Sequence, residues 1–454
     1  MKKSLLIGIA IASGLGAATI TLYQDTKTGA LYTTPGEGRV KLGEFVSKDE
    51  LQKSREDLEK KIEKELKIAP KVLDTKGPKF LLGYPTRPNM IFRASDDPSM
   101  YLKLGVRLQG TFEYREIDPA GGPSESYYDA YLRRARLEVG AGFGEHVSFT
   151  MDIRNDKANY QDKGEQEFNI GDAYLKIKKP FDTSWLNFKL YRAKIDVSRT
   201  ETVKSAYVIH YDRPHVADEA AQYISHNRRG TNVQAYGDYH KKFHYQVATG
   251  DGVYSGKFHD AVGHTFDGPE FRQESYFYGG KVILSPFDGW EEKKRTETYF
   301  GIGKHFSVGA GYWVSPDITF TTASGASGSV DHKLLNLECS AHYKQAFIQA
   351  EYFKFDDVIK DFTAPTLEIG SSNGWYVTGE YILPYYIAPF ARYERWDRWE
   401  DESGYTLTST IFGINWYLRG NSTKVGIAYQ SDDYGEKIGD KTENRLKITT
   451  QWFF

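Results

Sequence analysis

From about residue 99 onward, apolar and polar side chains take turns along the chain, the two-residue period of an extended strand with one face in each environment. Leu102, Leu104, Val106, Leu108, Phe112 and Tyr114 fall on one face, and Lys103, Arg107, Gln109, Thr111, Glu113 and Arg115 on the other. A second strand sets Ala135, Leu137, Val139 and Ala141 against Arg134, Arg136 and Glu138. A third sets Val147, Phe149, Met151 and Ile153 against Ser148, Thr150, Asp152 and Arg154. Ala173, Leu175 and Ile177 oppose Tyr174, Lys176 and Lys178, and Leu186, Phe188 and Leu190 oppose Asn187, Lys189 and Tyr191. Weaker alternation continues at 230–239, 242–250, 272–284, 298–314, 332–343, 346–355, 374–383, 387–396, 405–419, 423–431 and 442–454. At the end Leu446, Ile448, Trp452 and Phe454 share a face opposite Arg445, Lys447, Thr449 and Gln451, so the chain closes inside a strand, on an aromatic residue.

These segments number about sixteen, and their connections alternate in length. Short ones include Gly142–Gly144, Lys179–Asp182, Tyr239–Lys241, Ser285–Gly289, Tyr343–Gln345, Pro384–Tyr386 and Arg419–Ser422. Long ones fall near 116–128, 156–167, 196–229, 251–271, 315–331, 356–373, 397–404 and 432–441. An even number of roughly ten-residue strands, with turns short at one end and loops long at the other, predicts an all-β fold: a 16-stranded antiparallel transmembrane β-barrel. Composition agrees. The 454 residues include 33 Tyr, 26 Phe and 43 Gly, yet mean hydropathy is −0.57, as expected of a wall with one lipid face and one wet face. Beyond the N-terminus no stretch approaches the ~20 apolar residues of a spanning helix, so crossing a bilayer requires closed strands.

The N-terminal part reads differently. Met1-Lys2-Lys3-Ser4, an apolar run from Leu5 to Leu15 and small residues to Ala18 form a signal peptide over residues 1–18, implying export with cleavage. Residues 19–46 form an N-terminal periplasmic segment, within which the polar and turn residues of Tyr23–Thr33 suggest a short hairpin or loop. Over 47–69 the period becomes helical. Ser47 and Glu50 form a capping box, Val46 and Leu51 a hydrophobic staple, and Leu51, Arg55, Leu58, Ile62, Glu65/Leu66 and Ala69 step by three and four. Three heptads are marginal alone, so a short trimeric coiled coil is expected, with a single solvated helix lying against the barrel as the alternative. Five prolines over 70–98 indicate a linker, with the barrel at 99–454.

The face that points inward carries the candidate chemistry. On the first five strands parity places nine basic residues there (Lys103, Arg107, Arg115, Arg134, Arg136, Arg154, Lys176, Lys178, Lys189) against Glu113, Glu138, Asp152 and Asp172. A basic stripe on a low-dielectric wall draws anions, and arginine grips oxyanions through two donors; pairing of Arg136 or Arg154 with Asp152 or Glu138 is the competing reading. The connection at 196–229 carries Arg199, Lys204, His210, Arg213, His215, Arg228 and Arg229 with Asp212, Asp218 and Glu219; as the long loop after a fifth strand it is expected to fold into the lumen and narrow it, with an outward loop or a subunit latch as the competing reading. Trp375, Trp396 and Trp399 are the residues from which a sugar-guiding aromatic slide would be built. The single Cys339 falls on the apolar face and admits no disulfide within the chain. His210, His215 and His226 lack metal-ligand spacing, no nucleophile stands beside a base, and basic residues follow strand parity, so no metal, cofactor, catalytic group or nucleic-acid partner is expected. An enzyme barrel and an envelope tether are the alternatives of other classes.

Several segments are similar to the phosphate-selective porin O/P family. They are Leu132-Arg133-Arg134-Ala135-Arg136-Leu137, Gly171-Asp172-Ala173-Tyr174-Leu175, Phe188-Lys189-Leu190-Tyr191-Arg192-Ala193-Lys194, Tyr211-Asp212-Arg213-Pro214 before Arg228-Arg229-Gly230, and Gly413–Asn421. The resemblance spans about 99–454. It implies a homotrimeric barrel among bacterial outer-membrane lipids and passive diffusion of small hydrophilic solutes, anions such as phosphate above all, with Arg134, Arg136, Arg213 and Arg228 along the path. The chain departs from the family pattern in lacking a dense lysine cluster at 196–229 and in bearing acids there.

Overall fold

A computed structural model describes residues 20–45, 79–83, 90–162, 167–225, 229–251, 258–259, 265–266, 272–273, 275–287, 296–321, 327–362 and 371–454. The signal peptide and the 47–69 helix therefore lie outside the described residues. Two compact units divide at Ala69 and Pro70. In the first, the hairpin expected at 23–33 is present, with Tyr23 opposite Tyr32 and Gln24 opposite Leu31, and Arg39–Phe45 pairs on the other side of Ile20–Asp25 to complete a three-stranded antiparallel sheet. Asp25 makes its first turn by accepting from the Lys27 and Thr28 amides, and the Arg39 guanidinium lies 3.4 Å from the Tyr32 ring centroid.

The second unit is a closed antiparallel barrel of sixteen strands. In chain order they are β1 (Tyr101–Pro119), β2 (Glu125–Phe143), β3 (Val147–Ala158), β4 (Asn169–Ile177), β5 (Asn187–Arg192), β6 (Thr231–Tyr239), β7 (Phe243–Gly250), β8 (Arg272–Gln273 with Phe277–Leu284), β9 (Lys304–Thr321), β10 (Ser327–Tyr343), β11 (Ala346–Phe362), β12 (Ser372–Tyr381), β13 (Ile387–Asp397), β14 (Thr406–Asn421), β15 (Thr423–Tyr434) and β16 (Lys441–Phe453). Each pairs with its neighbour in sequence, and β16 closes on β1 from Lys441 opposite Pro119 to Phe453 opposite Arg107. Phe454 and Val106 then exchange both backbone hydrogen bonds, leaving no open edge at the seam.

The alternation has its physical meaning here. Leu108, Phe112, Leu137, Leu190, Val247, Leu337, Cys339, Ile348, Ile414, Ile427 and Ile448 face outward and exposed. Phe143, Phe181, Trp185, Tyr239, Phe287, Tyr343 and Tyr385 form an exposed aromatic ring at the short-turn end, and Tyr278, Tyr312, Trp375, Tyr393 and Tyr429 lie outward nearer the long loops. This is an apolar band between two girdles.

Several boundaries differ from expectation. The strand expected at 298–314 begins at Lys304, so the connection after β8 is no short turn. Its described end folds inward, burying Glu297 and Thr298. Where loops were expected at 116–128 and 315–331, β1 continues to Pro119, β2 begins at Glu125, β9 continues to Thr321 and β10 begins at Ser327. The proline-bearing segment is not a free linker where described: Met90–Arg93 pairs with the start of β1. Phe80 is buried, with its ring 5.0 Å from Phe300 and 4.1 Å from Tyr386, and Leu82 donates to the Leu418 carbonyl. Replacing Phe80 by Ala removes a ring from this closed cluster and is expected to cost about 3 kcal/mol, read as a lower denaturant midpoint of the protein refolded in detergent.

Candidate functional site

The segment between β5 and β6 does not leave the barrel. It crosses the lumen with two helices, α1 (Arg199–Thr202) and α2 (His215–Ile224). In α2, Val216, Ala217, Ala220, Ala221 and Ile224 repeat at helical spacing and are fully buried, packed with Phe277, Trp313, Leu334, Phe353, Phe355 and Trp396 of the wall. Gly374 leaves room for this contact, since a Cβ there would stand 2.7 Å from a Val216 methyl. Both helices start on buried wall carboxylates. Glu351 accepts from the Arg199 and Thr200 amides at 2.9 and 2.8 Å, and Glu394 from the Val216 amide at 2.7 Å. Each carboxylate satisfies amides that a helix start leaves without partners.

Between the helices, inward polar side chains of the wall hold the backbone of 205–212. Gln109 donates to the Ser205 carbonyl, Gln451 to Ala206, Lys424 to Val208 and Ile209, Asn415 to Ile209, Arg392 to Asp212 and Arg134 to Tyr211. Glu297 of the inward-folded connection accepts from the Ile209 amide at 2.7 Å. The inserted segment thus covers the wall from β8 to β14, and the open path runs along β15, β16 and β1–β7.

That path has two chambers. The outer, about 1190 Å³, lies toward the long loops and is lined by twelve lysines and arginines against four carboxylates. The inner, about 430 Å³, lies toward the short turns, with eight against five. Arg136, Lys194, Arg213 and Arg229 line both chambers and mark the narrowing between them. Arg107, Arg136 and Arg154 stand directly opposite one another across β1, β2 and β3, and Lys176 opposes Lys189 across β4 and β5. Carboxylates temper the row: Arg136 binds Asp156 at 2.5 Å and Asp152 at 3.5 Å, Arg229 binds Asp172 at 2.7 Å, and Arg213 and Lys194 both bind Glu201.

Most expected site residues meet on this path, in different roles. Arg136, Arg213 and Arg229 form the narrowing. Arg154 lines the outer chamber, and Arg107, Lys176 and Lys189 the inner. Lys103 sits nearer the short turns, 2.7 Å from Glu138. Arg134 borders the outer chamber but is 5% exposed and engaged with Gln109 and the Tyr211 carbonyl, so it anchors the loop. Arg228 lies outside the described residues. The expected cross-strand pairing is also present, between Arg136 and Asp152. Parity missed Arg133: a bulge pairs Gly110 with Leu132 and Gln109 with Arg134, so Arg133 turns inward and reaches Asp212 at 2.5 Å. Lys194, Lys204, Arg445 and Lys447 also line the chambers, and Lys194 was legible only as part of the family-like segment. The tryptophans make no slide: Trp375 faces outward, Trp396 is buried under α2, and Trp399 is buried beside Tyr405.

Two loop histidines behave oppositely. Burial and the nearby Arg392 push His210 down to about 3, so it stays neutral. Burial opposes charge on His215 as well, yet its bond to Asp432 and the charges of Glu394 and Asp432 raise it above the ordinary value. His215 lines the outer chamber.

A closed wall with lipid outside, water inside and a narrowing built from an inserted loop defines an outer-membrane porin. The family model for phosphate-selective porin O and P matches residues 103–454, and the chain belongs to that family. It is similar to an uncharacterized protein of Aquifex aeolicus (strain VF5), 25% identical over 396 residues, covering 78% of this chain and 87% of that one. Among solved structures it is similar to a loop L8 deletion mutant of OmpT, an outer membrane protein of Vibrio cholerae (12% identity, 78% of this chain and 100% of that chain, TM-score 0.49). It is also similar to Pseudomonas putida OprB (10%, 77% and 94%, 0.48) and to Salmonella typhi OmpF in complex with daunomycin (12%, 78% and 98%, 0.45).

Glu394→Ala leaves the Val216 amide without its acceptor in a buried place and should weaken the seat of α2 by about 1–3 kcal/mol. Open-channel current noise should rise, with a smaller rise in Glu394→Gln, which keeps an acceptor oxygen. The His215 charge is present below its raised pKa and lost as pH climbs through it, above about 6.5. Anion preference should therefore fall from acid toward alkaline pH, and His215→Asn should flatten the profile while His210→Asn leaves it in place.

Proposed function

We propose that the channel passes small hydrophilic solutes by diffusion with a bias toward anions such as phosphate, and that it carries out no chemistry of its own. One observation supports this above others: like charges face each other directly across neighbouring strands, Arg107–Arg136–Arg154 and Lys176–Lys189. Directly opposed like charges destabilise a sheet, so their placement on the open side of the lumen speaks for a role in the water path. The arginine forks suit oxyanions, and the interleaved carboxylates keep any one site weak enough to release what it draws in. We read the assembly as a homotrimer among outer-membrane lipids, exported through a leader removed near Ala18, with the 47–69 helix as its coiled-coil clamp. The unsupported slide leaves sugar diffusion without a dedicated device.

Neutralising the narrowing is the direct test. Arg136→Gln with Arg229→Gln should move the zero-current potential under a potassium chloride gradient toward the cation side and lower phosphate conductance several-fold. Arg134→Gln should change current noise more than selectivity. An unchanged zero-current potential in the double variant defeats the proposal.

A further inference from the structure

The inner chamber differs from the outer one in kind. Its two opposed lysines lie on aromatic faces. The Lys189 ammonium is 4.0 Å from the Tyr191 ring centroid and 5.2 Å from that of Tyr174, and the Lys176 ammonium is 5.6 Å from the centroids of Tyr174 and Tyr236. The half-buried Tyr174 ring is therefore the shared floor of both cations. From β6 and β7 the chamber receives uncharged hydrogen-bonding groups, with the Gln234 amide donating to Gln246 at 3.0 Å. Its carboxylates are engaged with cations around it: Glu138 with Lys103 and Lys204, Asp152 with Arg136, Asp172 with Arg229, Glu201 with Lys194 and Arg213, and Asp196 3.9 Å from Lys281.

A single inorganic oxyanion needs charge and donors alone. A cavity of about 430 Å³ has the size of a small organic-ligand site, and the aromatic surface that carries the lysines can also take the apolar body of a ligand. We propose that the inner chamber is a selectivity site for small organic carboxylates, the carboxylate held by Lys176 and Lys189 and the apolar body resting on Tyr174. This deepens the anion-path reading and rests on it. Solutes would pass the arginine narrowing by charge and be sorted behind it by the shape and polarity of what carries the charge.

Block of the chloride current of the full-length channel in planar bilayers, by benzoate, acetate and inorganic phosphate in turn, separates the possibilities. Benzoate should half-block at a concentration about three- to tenfold below that of acetate, the range an aromatic contact supplies. Tyr174→Leu should erase this advantage, bringing the half-blocking concentrations of benzoate and acetate together. Lys189→Gln should weaken both carboxylates. Equal block by benzoate and acetate in the unaltered channel, or an advantage that survives Tyr174→Leu, overturns the proposal. Loss of anion preference itself would show in the zero-current potential of the unaltered channel and would instead defeat the reading on which this one rests.

Discussion

Everything in this molecule follows from the cost of leaving a backbone amide or carbonyl unpaired in hydrocarbon. Each such group costs several kcal/mol where no water can reach it, so a wall of strands must close on itself. Here β16 meets β1 along thirteen residue pairs, and Phe454 and Val106 extend the ladder at the seam. Closure then imposes the rest. Once every strand is paired on both sides, side chains have only two directions, and lipid on one side forces the polar set inward.

A lumen of sixteen strands lined that way would be a wide aqueous hole, and the inserted segment is what reduces it. Its seating works by reversing ordinary roles. The buried carboxylates Glu351 and Glu394 act as caps for helices that are not their own, and Gln109, Asn415, Lys424 and Arg392 supply donors to carbonyls that belong to no sheet. These inward polar side chains are therefore structural. Others, on β1–β7, β15 and β16, border the open path. This division explains why arginines two residues apart on β2 differ so much: Arg134 points under the loop and Arg136 into the open path.

The wall was legible in the sequence because a two-residue period leaves little choice once lipid and water are assigned. The lines that escaped it are those where the period breaks or where the inside is not water. A bulge at Gln109–Gly110 turned Arg133 inward, and nothing in the Leu132–Arg134 run marks where the skip falls. Thr298 to Phe300 fall within the strand expected at 298–314, yet they precede β9 and fold inside the barrel, where Glu297 and Thr298 are buried and Phe300 packs on Phe80 and Tyr417. Trp396 obeys parity by pointing inward, but its surroundings are the apolar face of α2. Parity distinguishes two sides and cannot tell a filled interior from a wet one.

That limit bears on how charge should be weighed along the path. Counting the four shared cations once, the two chambers display sixteen lysines and arginines against nine carboxylates. An unrelieved row of arginines on a low-dielectric wall would repel itself and hold an anion too tightly to release it. Asp152, Asp156, Asp172 and Glu201 sit beside the cations of the narrowing, so the field there is a difference of nearby opposites and short in range. Salt screens exposed charges beyond roughly 8 Å, a distance over which these close pairs already cancel much of each other. What survives is a modest positive excess spread over many residues. On the proposed reading, an anion is then attracted along the whole path and held strongly at no single point on it, which is the condition a conducting channel must meet.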